Sequence, residues 1–301
     1  MDRIANVAPR MNDEGWFQYL SYIHNAEFGN IHGNDMFFPW HRRFLRDFEE
    51  IGQRYDGGFC CSILGPHGRM DAIVPNNHCL SRAFDRGGGI QPWYSPEYIY
   101  SVMQRDGSMN SFRQHIEFTI HGSVHLGIGG DMSTYWSPND FIFMLHHANL
   151  DRLWQQWQNW GHQMTMDGRD SRGNWVGLGS PIPHYNDEVG FYHATRRQPH
   201  VLPVCRCRRR PRYELLSVGS QRKPPVACAG QGQGMMKQRN TTRTTMSPNI
   251  SSGGQMLVPP TKLTDSWINM HRFDRSSVNK VMQEAQEFVS DMNSVNYLSP
   301  F

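Results

Sequence analysis

Ser137-Pro138-Asn139-Asp140-Phe141-Ile142-Phe143-Met144-Leu145-His146-His147-Ala148-Asn149-Leu150-Asp151-Arg152-Leu153-Trp154 is the stretch that governs the reading of this chain. Its opening, Ser-Pro-Asn-Asp, supplies side chains that cap a helix N-terminus. The residues after it repeat at helical spacing, with Phe143, His147, Leu150, Asp151, Trp154 and Trp157 on adjoining faces. A histidine set among such apolar residues has to find a partner, because a polar group buried without one costs free energy.

Other histidines supply the context. His24, His32 and His41 are separated by seven and eight residues, and the run ends in Phe37-Phe38-Pro39-Trp40-His41-Arg42. About eighty residues on, His121-Gly122-Ser123-Val124-His125 places two imidazoles one helical turn apart. With His147 this makes two sets of three. Buried together without a metal, six imidazoles would leave many unpaired nitrogens. Di-iron bundles use Glu-x-x-His pairs, whereas Glu117 precedes His121 by four residues. No His-Glu-x-x-His or Cys-x-x-Cys motif is present. Histidine-only ligation with an open position fits copper best, and two coupled copper ions suit the handling of dioxygen.

Periodicity sketches the frame. Trp16, Phe17, Leu20 and Ile23 predict a helix over 14–25, with His24 near its end. Residues 29–34 then break it and leave His32 in a loop. Pro39 suits the first turn of a second helix, with Trp40, Phe44, Leu45, Phe48 and Ile51 as its buried stripe. Residues 112–125 predict a third helix, and the stretch that follows the 137–140 cap and carries Phe143 to Trp157 a fourth. The glycine-rich Gly127-Ile128-Gly129-Gly130 is not read as a phosphate loop, since no strand precedes it and no Lys follows. A last helix over 276–293 carries Val278, Val281, Met282, Ala285, Phe288, Val289 and Met292. The expected fold is mainly α, a four-helix bundle holding a dicopper centre, with long irregular loops.

The chain has 301 residues and 38% hydrophobic content, so part of its length is expected not to pack. Residues 196–243 hold twelve Lys or Arg against one acid, Glu214, while the whole chain nets only +3. The basic charge therefore sits in one polar segment and the histidine-bearing part is acidic, which argues against a nucleic-acid partner. The expected organisation is a dicopper domain over 1–200, a basic disordered linker or insert over 201–255, and a C-terminal segment over 256–301 whose helix packs on the body. Six cysteines include the adjacent Cys60 and Cys61, an awkward disulfide framework, and leave the redox compartment open. No run of eighteen apolar residues spans a membrane, and the first residues show no apolar core of a signal peptide, so localisation stays unassigned.

Phe-Phe-Pro-Trp-His-Arg at 37–42 and the stretch at 137–154 resemble the two copper signatures of the tyrosinase family, which includes tyrosinases, catechol oxidases and o-aminophenol oxidases. The resemblance covers 12–56 and 78–160, and 256–301 looks like the end of short fungal members. It implies a type-3 dicopper centre with dioxygen as co-substrate. One copper would lie on His24, His32 and His41, the second on His121, His125 and His147, with His146 as the non-ligand of its pair. It also implies that Glu117 is a catalytic acid–base group, that small phenols are the substrates, and that o-diphenols are oxidised to o-quinones. Arg42 and Asp151 are expected to pair across the bundle. The remaining histidines, His67, His78, His115, His162, His184, His193, His200 and His271, are read as ordinary residues. The chain departs from the family in a shorter segment after Tyr55, and in Gly122 where an asparagine often stands. A haemocyanin-like oxygen carrier and an inactive relative are the alternatives.

Overall fold

The computed structural model describes residues 2–53, 79–85, 94–162, 165–185, 187–189, 254–259 and 261–300. The segment after Tyr55 expected to be short, residues 201–253 of the expected basic insert, and His67, His78, His193 and His200 lie outside the described residues. The described part is mainly helical, and extended pairing in it is limited to three isolated bridges.

Helix α1 (Asp2–Asp13) lies against α2 (Trp16–Ile31) and α3 (Phe37–Gln53). Then come α4 (Pro96–Arg105), α5 (Met109–Ile116), a π-helical turn (Glu117–His121) and α6 (Gly122–Ile128). Two 3₁₀ turns lead into α7 (Phe141–Trp157), and α8 (Asp265–Met270) and α9 (Arg275–Ser294) close the chain. The bundle is α2, α3, the α5–π–α6 unit and α7.

Helix α2 is longer than its sequence predicts, running to Ile31 instead of ending near Asn25. Phe28 and Ile31 continue its buried stripe, and Arg272 lies over Gly29, so packing outweighs the low helix propensity of that glycine. His32 is still outside the helix, as its extended C-cap. The third helix is likewise not continuous. It widens into a π turn at Glu117–His121, where all five residues are buried. Such single-turn insertions are frequent at functional sites.

Side-chain caps hold the starts of α4, α5, α7, α8 and α9. Asp140 accepts from the Ile142 N–H and is gripped by Arg82 through Nε at 2.7 Å and Nη2 at 2.8 Å. Arg42 and Asp151 do pair, at 2.5 Å, and the guanidinium also lies 3.9 Å from the Trp154 ring centroid. The Gly129-Gly130 corner is backed by residues 81–83, whose carbonyls lie 2.2–2.3 Å from where side chains would begin. Only glycine leaves room for that backbone.

Two apolar cores flank the histidines. One unites α1, α2, α3 and the start of α7 through Leu20, Ile23, Trp40, Phe44 and Phe143. The other joins Phe38, α4, α5 and the far end of α7 through Val102, Phe112, Trp154 and Trp157, and reaches Ala285 of α9. Each buried large side chain contributes about 1.5–3 kcal/mol relative to exposure. A third core around Phe118, Leu263, Trp267 and Phe273 seats the C-terminal segment on the bundle.

Candidate metal centre

Three elements bring His24, His32 and His41 together: α2, its C-cap, and α3. Their ligand atoms lie within 4.8 Å of one another and all three are buried. Ring centroids are 5.2 Å apart for His24–His32 and His32–His41, and 5.8 Å for His24–His41. Each ring is tied to a carbonyl through Nδ1: His24 to Tyr135 at 3.0 Å, His32 to Phe28 at 3.1 Å, and His41 to Phe37 at 2.7 Å. A carbonyl can only accept, so Nδ1 carries the proton and Nε2 keeps its lone pair. Nε2 of His24 and of His41 is buried with no hydrogen-bond partner.

The second set comes from the π turn, α6 and α7. His121, His125 and His147 converge, and the structure brings His146 with them, all four within the same 4.8 Å limit. His125 Nδ1 is tied to the Met132 carbonyl. Neither nitrogen of His121 has a partner, nor does Nε2 of His146. The sets face each other: His41 stacks on His147 at 4.2 Å with planes 10° apart, and His32 on His121 at 5.9 Å and 22°.

Burial holds these rings neutral. It lowers the pKa of His24 to about 3 and of His125 to about 4, and pushes His32, His41, His121, His146 and His147 well below the usual imidazole range. Leaving such nitrogens unpaired costs about 1–3 kcal/mol each. Neutral imidazoles with inward, orphaned lone pairs fit borderline-soft ions such as copper. No carboxylate belongs to either group among the described residues.

Glu117 is fully buried. One oxygen accepts from the Gly33 N–H at 2.8 Å and the other from Arg113 at 2.7 Å. Burial raises its pKa to about 7, against the opposing pull of Arg113.

Two neighbours escaped the sequence reading. Trp267 lies 5.2 Å from His125 and 6.0 Å from His121, while His271 lies 4.9 Å from His32 and 3.9 Å from Trp267. His271 is buried, and its Nδ1 is tied to the Trp267 carbonyl. Only the Trp267–His271 spacing of four was visible locally; contact with the bundle is long-range. Leu263 and Trp267 also occupy the space beside Gly122, where a side chain would begin 2.5 Å from Leu263. His115 lies apart in an ionic cluster, 2.6 Å from Asp106 and 3.0 Å from Glu284. Burial there opposes its protonation, but the two carboxylates prevail and raise its pKa. His162 stacks on Trp157 at 4.3 Å, and His184 lies 3.4 Å from the Tyr19 hydroxyl.

A family model described as the common central domain of tyrosinase matches residues 14–66 and 62–160. Tyrosinase ustQ of Aspergillus flavus is 35% identical over 123 residues, which are 38% of this chain and 34% of that protein. A Streptomyces antibioticus tyrosinase is 28% identical over 176 residues, 42% of this chain and 64% of its own length. The tyrosinase-like protein phomQ1 of Diaporthe leptostromiformis is 34% identical over 259 residues, 65% of this chain and 64% of that protein. The chain thus spans less than two thirds of each of these relatives.

Proposed function

This chain belongs to the tyrosinase family, and from that premise we propose that it is a copper-dependent oxidoreductase that oxidises o-diphenols to o-quinones with dioxygen. The observation that carries the reading is the pair of facing imidazole sets with neutral rings, in which Nε2 of His24, His41 and His121 is buried without a partner. His24, His32 and His41 hold one copper, and His121, His125 and His147 hold the other. His146, adjacent to His147 in α7, stays outside the ligand set. Bound there, the copper pair supplies Lewis-acid and redox chemistry toward dioxygen and the phenolic oxygens.

The protein's own contribution is positioning and exclusion of water. Carbonyl anchors from Phe28, Phe37, Tyr135 and Met132 fix ring orientation and tautomer, which also makes the imidazoles better donors. Phe37 and Phe143 pack directly on the rings, with centroids 4.9 Å from His41 and 4.1 Å from His147. Gly122 brings no side chain to help activate a water, so oxidation of o-diphenols outruns hydroxylation of monophenols. Two diphenols and one dioxygen give two quinones and two waters.

Copper content and catechol-dependent oxygen uptake, measured on the same sample, test this. Two coppers per chain with turnover are expected, and copper-free protein without turnover would refute it. The cover formed by Leu263 and Trp267 over the second set favours a second reading, an oxygen-binding protein closed to phenols. Two coppers with reversible oxygen binding but no catechol turnover would select it.

A further inference from the structure

Arg113, Asp35 and Glu117 form a buried ionic cluster that metal ligation does not use; their side chains are at most 3% exposed. Arg113 Nε donates to Asp35 at 3.2 Å, Nη1 to Glu117 at 2.7 Å, and Nη2 to Asn110 at 2.8 Å. Two carboxylates around one guanidinium, all out of water, are weak evidence for stability. Their value lies in where they pull.

They pull on the turn that follows His32. The Gly33 N–H donates to Glu117. Asn34 donates to the His32 carbonyl at 2.8 Å and accepts from the Met36 N–H at 3.0 Å. The Asp35 N–H donates to the Arg169 carbonyl, while its carboxylate meets Arg113. Gly33 has φ +70°, and a side chain there would begin 3.3 Å from Phe273, so this turn admits little but glycine. The Gly33 and Asn34 bonds hold the His32–Gly33 peptide, and the others hold the turn that follows it. Glu117 also opens the π turn that ends at His121, and His32 and His121 stack face to face across the two sets. One cluster therefore grips a donor from each set at the place where the sets meet.

We propose that Arg113 and Glu117 are positioning residues: with Asp35 they clamp the His32 turn to the π turn and so set the separation of the two metals. This rests on the dinuclear reading above. It gives Glu117 a role that its two engaged oxygens satisfy without touching substrate.

The test loads the full chain with Cu(II) and measures two quantities: copper per chain across a dialysis series, and paramagnetic resonance intensity per copper. Close Cu(II) ions couple and lose signal, whereas separated ions show it. In Arg113→Met, copper affinity should fall roughly 10–100-fold and the signal per copper should rise, with helix content unchanged. Arg113→Lys keeps the charge but not the fork, and should recover part of both. If Arg113→Met does not fold, Glu117→Gln, which keeps an acceptor for Gly33, should move both readouts the same way by less. Two coppers with wild-type affinity and signal in a folded Arg113→Met would overturn the clamp alone. Copper-free wild-type protein would overturn the dinuclear reading and the clamp with it. Glu117→Gln with copper and signal intact but catechol turnover lost would return Glu117 to the role of base.

Discussion

The two histidine sets are built differently. In the first, all three rings are anchored through Nδ1 to carbonyls of the bundle and its loops, so tautomer and orientation are fixed before any ion arrives. In the second, His125 is anchored to the Met132 carbonyl, His121 has no partner on either nitrogen, and a fourth imidazole stands within reach. The first set is spread over two helices and a pinned turn, while the second shares a π turn, α6 and α7. Preorganisation is thus unequal within one centre. A ligand set that is ordered in advance has less conformational freedom to lose on binding.

The largest effect separates ligands from bystanders. His147→Ala should empty the second site and take catechol-dependent oxygen uptake to background, while His162→Ala should leave copper content and turnover near wild type. Equal losses from the two would break the assignment of His147 to the second set.

Acid should act next most strongly, and on both sets. Their folded pKa values lie below the unfolded value of 6.5, down to about 3 for His24 and about 4 for His125. Below pH 6.5 the unfolded chain takes up protons that the folded chain refuses. Metal-free stability is therefore full above that pH and is lost as pH falls toward 3. Asp35 and Glu117, raised by burial to about 6 and about 7, work the other way: their contribution fades as pH rises through those values. Melting temperature of the metal-free chain should consequently peak near pH 6–7 and drop steeply on the acid side. A flat profile between pH 6.5 and 4 would mean the imidazoles are not buried as described.

Filling order probes the contrast itself. Copper should enter the anchored first set before the second, with affinities about 10-fold or more apart. Titration of His41→Ala against His125→Ala reads this directly: the tight phase should vanish in the former and persist in the latter. Retention of the tight phase in His41→Ala would reverse the comparison.

The smallest effect concerns the cover of the second set. Gly122→Ala should destabilise by about 1–3 kcal/mol, because the new methyl meets Leu263. Shortening that neighbour in the double variant with Leu263→Ala should recover part of the loss. Thermal or urea unfolding of both variants checks it, and a neutral single substitution would show that the C-terminal segment gives way.

The helices around the site were legible because their residues repeat at helical spacing. Trp40, Phe44, Phe143 and Trp154 are buried on the faces that spacing predicts. Length was harder. Gly29 reads as a breaker, yet Arg272, from a distant part of the chain, packs over it inside α2. The π turn has no periodic signature, since one inserted residue within a helix leaves the stripe on either side intact. Trp267 and His271 were missed as neighbours of the site for a related reason. A helical face is local information, whereas proximity between α8 and the π turn exists only after the chain has folded back on itself.

By itself the sequence determined which imidazoles were candidates and which helices would carry them, because the spacing of apolar residues and caps is written residue by residue. Tertiary structure alone decided how the rings are held: which nitrogen is tied to a carbonyl, which is left with a lone pair, and that Glu117 is gripped by Gly33 and Arg113. Those outcomes depend on hydrogen bonds and burial between segments far apart in the chain, and such contacts leave no local trace in composition or period.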